Sequence, residues 1–391
     1  MLFLLLAGST LISCSKDDSP GEDPIMEPMV LECNSFKNNN PDVISVLENR
    51  GDGVDYIIDC VISVEIDLVI EPGVVIEFTE ATGMKIKEDG SVNAVGTLGQ
   101  KIKFTGASKV KGSWKGIISE SQSVKNRFEQ VDIFYAGDSG LSGNNEVGSL
   151  ILDPGAYFRL KFVNIQHSTS YGITATWYDY DVEMNDCVVN DSDLPIYATA
   201  NLASHIVGGN FTGNTTNAIR LKSDAGPRKI STPQTWTALS VPYRMANTLV
   251  IEDGAILTIQ PGVIVEFEDT KGITIDKSFD DGSALKAEGA PDNPIVFTGV
   301  TKTPGAWSAI SIRRTSSVQN IIDNVIIEYA GGSGSGGGIE MWVDPVLTVT
   351  NTTFKDISAC ALYNRYGSTN PNLTESNNST ENVSGGYMCN G

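Results

Sequence analysis

Residues 257–268 read LTIQPGVIVEFE, and residues 68–79 read LVIEPGVVIEFT. Pro261-Gly262 falls on Pro72-Gly73 and Phe267 on Phe78, both at an offset of 189. Outward from this pair the match continues. IKFTG (102–106) meets IVFTG (295–299), SWKGI (113–117) meets AWSAI (306–310), and FYAGDSG (134–140) meets EYAGGSG (328–334). The offset drifts only to 193 and 194, as loop insertions would cause, so two halves of similar design lie in tandem. Within each copy the apolar residues are β-branched and alternate, which predicts short strands with one face inward. Pro fixes φ and Gly accepts positive φ, so each Pro-Gly marks a bend before the next strand.

A finer period runs between the copies. Ile165, Val188 and Phe211 keep a constant spacing of 23, as do Ile173, Ile196 and Ile219. The step of eight between the two series returns in Phe354 and Leu362, and Ser168, Asp191 and Asn214 keep the spacing of 23. One turn of a parallel β-helix takes about 20–25 residues, so each such series is one side chain per rung stacked over the next. Asn, Ser and Thr at rung corners are then placed to form hydrogen-bonded ladders. No stretch keeps an amphipathic helical period for more than two turns, which excludes folds that need helices between strands. An antiparallel β-sandwich is the alternative, but it does not account for stacking at so constant a period. The expected fold is all-β, a right-handed parallel β-helix whose halves, 43–235 and 236–391, stack as one continuous solenoid. The succession LTIQPGVIVEF, GSALKAEG, NPIVFTG, AWSAISI and IEYAGG resembles extracellular β-helix proteins common among Bacteroidetes surface lipoproteins. That resemblance is specific for fold and leaves function open between adhesin-like and glycan-related members.

The N-terminus is a separate signal. Residues 2–12 (LFLLLAGSTLI) are apolar but too short to span a bilayer, and they lead into Leu11-Ile12-Ser13-Cys14. This resembles a lipoprotein signal peptide over residues 1–13, which implies lipidation of Cys14 and a membrane partner through that lipid. No Lys or Arg precedes the apolar run, a departure from the usual pattern. Residues 14–42 read as a flexible tether, rich in Pro, Gly and acidic residues near its start. Within it, Lys16-Asp17-Asp18 resembles the signal that exports Bacteroidetes lipoproteins to the outer face of the outer membrane. Beyond Cys14 there are five cysteines. Cys33 with Cys60 and Cys360 with Cys389 would close local loops near the two ends, although the sequence leaves the connectivity open. Cys187, next to Val188 where other rungs carry Asn164, Asn210 and Thr353, reads as a small ladder residue and not a nucleophile.

Charge bounds the function. The chain carries 27 Lys+Arg against 48 Asp+Glu, a net charge of −21, which repels nucleic acid, anionic lipid and polyuronate and suits neutral glycans, cations or a protein. With no CxxC pair and only His167 and His205, no zinc site is expected. No cofactor is expected either, beyond weak calcium binding by Asp-rich turns without EF-hand spacing.

Two function classes remain. One is a polysaccharide hydrolase or lyase acting on extracellular glycans; a hydrolase needs two carboxylates about 5–10 Å apart, and Asp179, Asp181 and Asp193 are candidates for acid and base. The ordered motifs of polygalacturonases are absent, Asp280-Asp281 reads as a turn, and Arg220 and Lys222 alternate outward. The other class is a non-catalytic, adhesin-like binder of glycan or protein. Trp114 and Trp307 hold equivalent positions and read as rings covering a rung corner. Trp177 and Trp342 also correspond, and with Tyr178 and Tyr180 they are the candidate platform on which sugar rings stack. The binder is the reading the sequence favours.

Overall fold

A strand of four residues cannot bury an apolar face by itself; it needs a copy above and below. The computed structural model shows that arrangement for residues 27–138, 140–143, 145–223, 226–276, 282–366 and 369–391. The chain winds as a right-handed parallel β-solenoid, the hand that parallel crossovers adopt. Among the described residues its ladders are parallel and form five sheets, one of thirteen strands, two of seven and two of six. The thirteen-stranded sheet, here the shared sheet, runs from Val61–Val64 to Ser379–Val383. At about 4.8 Å per strand it spans about 58 Å. Parallel ladders throughout rule out the antiparallel sandwich. The one helical segment among the described residues is the 3₁₀ turn Ala200–His205.

Alternation decides what is inside. Val75–Phe78 and Leu347–Thr350 each bury every second residue, and the inward residues line one continuous core. Ile173, Ile196 and Ile219 stack directly, in register on successive rungs. Phe354 lies under Ile327 and Leu362 under Ile339, but the step of eight between the first two residues is twelve between their partners, because the loop after Ile327 is longer. The other series of the same period is off by one in its middle member. Ile165 pairs with Val189, which is fully buried, while Val188 pairs with Asn164 and faces outward. Asp191 accordingly sits over His167 and not Ser168, with His167 Nδ1 2.6 Å from Asp191 Oδ2. The rung from Asn164 to Val188 is one position longer than the period, and the next, from Val188 to its bridge partner Asn210, is one position shorter. One residue more or less in a corner loop resets the register without disturbing the inward row.

The corners rest on residues in the left-handed region. Gln130, Phe162 and Asp186 take φ of 53°, 53° and 52° at one edge, and Tyr135, His167 and Asp191 take 64°, 60° and 50° at the next. Gly73 and Gly262 do the same at the repeated Pro-Gly bend (φ 88° and 81°). A Cβ there would meet Asn49 at 2.3 Å or Asn293 at 2.7 Å, so only glycine fits. Asparagine ladders form at one corner of the second half, where Asn351 Nδ2 donates to Asp323 Oδ1 (2.8 Å) and Asn377 Nδ2 to Asn351 Oδ1 (3.4 Å).

The halves share one core but not one orientation. Val75–Phe78 lies in the sheet that precedes the shared sheet in each turn, whereas its repeat mate Ile264–Phe267 lies in the shared sheet itself. The second half is thus advanced by one face around the axis. Trp114 and Trp307 keep the same local role on different corners. Trp114 stacks on Phe78 (4.0 Å between centroids, 11°) and its Nε1 donates to the Phe134 carbonyl (2.8 Å). Trp307 stacks on Phe267 (4.4 Å, 17°) and donates to the Glu328 carbonyl (2.7 Å).

The ends are tied by cystines, Cys33 to Cys60 and Cys360 to Cys389, each pair with Cα atoms 6.0 Å apart. Cys187 is free and buried, and burial pushes its thiol up to about 12. It lies one residue deeper than the ladder position the sequence suggests, because Val188 takes the place beside Asn164. The tether expected through residue 42 ends earlier. Met29–Leu31 pairs with Tyr56–Ile58, and Phe36 is fully buried, because an apolar residue beside a cystine caps the first rung.

Candidate functional site

Outward-facing residues of a solenoid are normally solvated, so buried ones mark a covered face. On the shared sheet Ile118 and Ile151 point outward yet are buried, because Leu141 from the preceding loop lies across them. That loop is longer in the first half. Tyr135 to Leu150 spans 15 positions, and Tyr329 to Ile339, the matching inward residue, spans 10. The longer loop brings Glu146 onto the sheet, where Thr176 Oγ1 donates to Glu146 Oε1 and Thr174 Oγ1 donates to the Val147 carbonyl (2.5 Å).

Beside Glu146 sits Asp153, just past the strand Leu150–Leu152. Glu146 Oε2 and Asp153 Oδ1 are both buried without a hydrogen-bond partner. Burial pushes Asp153 up to about 6; the Glu146 and Glu120 carboxylates add to the shift, and Lys85 and Lys87 oppose it. Burial also raises Glu146, against the Thr176 hydroxyl, the Trp177 ring N–H and the Lys222 charge, which favour its ionised form. Two carboxyls that repel each other in a poorly solvated place resist ionising together, so the pair takes up a proton at higher pH than free carboxylates do.

The residues singled out from sequence divide around this pair. Tyr180 turns inward against the core. Its hydroxyl accepts from the Trp177 backbone N–H (2.9 Å) and donates to the Leu152 carbonyl (3.0 Å), so it pins the turn while its half-buried ring packs against the core. Trp177 is half-buried, with the Arg228 guanidinium 5.8 Å from its ring centroid and Arg228 Nε donating to the Thr176 carbonyl (3.0 Å). Tyr178 is exposed. The flat strip of Trp177, Tyr178, Tyr180 and Trp342 is therefore not assembled. Trp342 lies on the next face round and six strand spacings along the shared sheet, about 29 Å away.

The three candidate catalytic carboxylates do not converge. Asp179 is exposed in a left-handed turn (φ 59°). Asp181 is held by Arg159, with Nη2 2.6 Å from Oδ1 and Nη1 donating to its carbonyl (2.7 Å). Asp193 sits at a different corner, ahead of Leu194–Thr199. Arg220 does face outward, but its guanidinium binds Glu268 through Nε (2.7 Å) and Nη2 (3.1 Å) and covers the Tyr197 ring at 4.9 Å.

Around Trp342 a second cluster forms. The Arg313 and Arg365 guanidinium carbons lie 4.3 Å and 4.2 Å from its ring centroid, and Tyr366 meets it edge-on at 5.6 Å. Glu340, 5% exposed, accepts from Arg365 Nη1 (3.0 Å), Trp342 Nε1 (3.2 Å) and the Gly336 backbone N–H (3.1 Å).

Sequence reasoning named Trp342 but missed its arginines and missed the Glu146–Asp153 pair. The extra loop length with an acid inside it was the available signal for Glu146. Nothing comparable marks Asp153. Cys14 and Lys16-Asp17-Asp18 lie outside the described residues, as does Asp280-Asp281. Among the described residues no three His, Cys, Asp or Glu side chains gather closely enough to hold a metal, and no helix is long and apolar enough to cross a membrane.

Residues 228–324 match the family model described as a pectate-lyase-like beta helix domain. The matched segment opens the second half and includes the Pro261-Gly262 rung. No curated protein and no solved structure matches the chain.

Proposed function

We propose that this protein is a surface-anchored, non-catalytic solenoid that binds glycan. The observation that carries the reading is a half-buried tryptophan with an arginine over its ring on each of two faces. Trp177, in the turn after Tyr171–Ala175, lies beside Arg228, and Trp342, at the end of Gly337–Trp342, lies beside Arg313. Beside each, an exposed tyrosine, Tyr178 or Tyr366, presents an apolar ring that sugar C–H groups can cover, while the guanidiniums supply donors to hydroxyls. The non-convergence of Asp179, Asp181 and Asp193 weighs the same way. The reading places the solenoid on a lipid at Cys14, carried outward by Lys16-Asp17-Asp18. Replacement of Cys14 by Ala is then expected to release the protein from membranes, and protease added to intact cells is expected to digest the wild type.

A glycan panel scored for both retention and product release tests the main claim. Retention without new reducing or unsaturated ends, lost with Trp177→Ala and Trp342→Ala together, is the expected result. A second reading has its own observation. The Glu146–Asp153 pair has the paired, upward-shifted character of a glycosidase acid and base. Product release abolished by Glu146→Gln or Asp153→Asn would replace binding by hydrolysis.

A further inference from the structure

Resting on the binding reading above, we propose that the face carrying Trp342 holds a sulfate half-ester borne by a sugar ring, with Arg313 as its cation. Arg313 and Trp342 are cross-strand partners, and Arg365 follows Asn364, which pairs with Met341. The three side chains therefore form one outward row on successive rungs, the indole between two guanidiniums. Glu340 is committed to Arg365, the indole N–H and Gly336. Arg313 is left over. Among the described residues it makes no hydrogen bond or ion pair, and its Nε is buried without a partner. Burial holds its pKa below the ordinary value, the Arg365 charge adds to that, and Glu340 opposes it. A guanidinium kept half-dehydrated without a counter-ion is a binding group awaiting an anion.

The charge count selects the anion. Two guanidiniums against one carboxylate leave one positive charge, in a chain whose net charge is −21. A single surplus charge suits a monoanion and not a doubly charged phosphate ester. Between monoanions, a half-ester spreads its charge over three oxygens and gives up water more readily than a carboxylate does. It is the better match for a weakly hydrated guanidinium against indole. The sugar has its own surface in Tyr366, which is 59% exposed and leaves a ring face open beside the indole. The turn that presents the site is strained. Val343, β-branched and without glycine's freedom, sits at φ 60° with Asp344 following at 47°.

The test is calorimetry on the detergent-solubilised full chain with three probes: a sulfated galactan tetrasaccharide, the same molecule desulfated, and tetragalacturonate. The sulfated probe is expected to bind at least about tenfold more tightly than the other two, as one charge-assisted fork supplies. Arg313→Gln is expected to abolish that preference with only a small shift in melting temperature, since Arg313 makes no hydrogen bond in the fold and only its stacking on Trp342 is lost. Tyr366→Ala is expected to weaken the sulfated and desulfated probes alike. Equal affinity for the sulfated and desulfated probes would overturn the site, as would a preference that survives Arg313→Gln. Tetragalacturonate binding as tightly as the sulfated probe would overturn the half-ester assignment. Binding of the desulfated probe without any sulfate preference would refute this site and leave the broader glycan-binding reading standing. Silence with all three probes and across the glycan panel would refute both.

Discussion

Replacing Asp153 by Asn is expected to stabilise the protein at neutral pH and to leave it nearly unchanged in acid. The folded-state value of about 6 lies above the ordinary 3.8. The fold therefore prefers the protonated carboxyl, and the cost of ionising it in place is absent below pH 3.8 and complete above about pH 6. The shift corresponds to about 3 kcal/mol for a fully enclosed group. Asp153 keeps part of its water, and screening reduces the figure to about 1–2 kcal/mol. Asn carries no charge, and Asp153 Oδ1 makes no hydrogen bond to lose. The variant is thus expected to gain about 1–2 kcal/mol over wild type at pH 7.5 and little at pH 3.5. Urea denaturation at the two pH values, followed by tryptophan fluorescence, measures the difference. Glu146→Gln should produce part of the same gain, because the Glu146 charge is one cause of the shift. An Asp153→Asn variant that loses stability at pH 7.5, or gains equally at both pH values, would refute this account of the pair.

Three further outcomes follow from the packing. Trp307→Ala should cost about 3–5 kcal/mol in denaturant unfolding, and Trp307→Phe only about 1 kcal/mol more than the ring's smaller size explains, the worth of the bond to Glu328. Tyr180→Phe should cost about 1–2 kcal/mol and increase protease cutting at the 176–180 turn, whereas Tyr178→Phe at the exposed neighbour should do neither. Replacing Cys360 and Cys389 together by Ser should cost about 3–4 kcal/mol in the terminal rungs, the chain-entropy value for a separation of 29 residues. Hydrogen exchange should then rise after residue 353 before it rises in the central rungs, because each rung of a solenoid touches only its neighbours.

The solenoid was legible before any folding was seen, since a rung is a local object. Alternating β-branched residues, a Pro-Gly bend and a second copy at an offset of 189 carry all the information a short strand needs to find its neighbours. Stacking at Ile173, Ile196 and Ile219 was legible because no residue is added or lost between those positions. Between Ile165 and Phe211 the same spacing misled, because a corner loop gains one residue and the next loses one, and only the folded turns decide how many each corner takes. Folding also sets which way side chains face at those corners. Tyr180 reads as a surface aromatic until its hydroxyl is seen bridging Trp177 and Leu152, and Asp181 reads as a free carboxylate until Arg159 is seen beside it. The advance of the second half by one face is likewise invisible in the repeat. It carries Trp342 away from Trp177 and into the company of Arg313 and Arg365. Period is set by neighbours along the chain, but the faces that become sites are set by the summed lengths of all the loops between them.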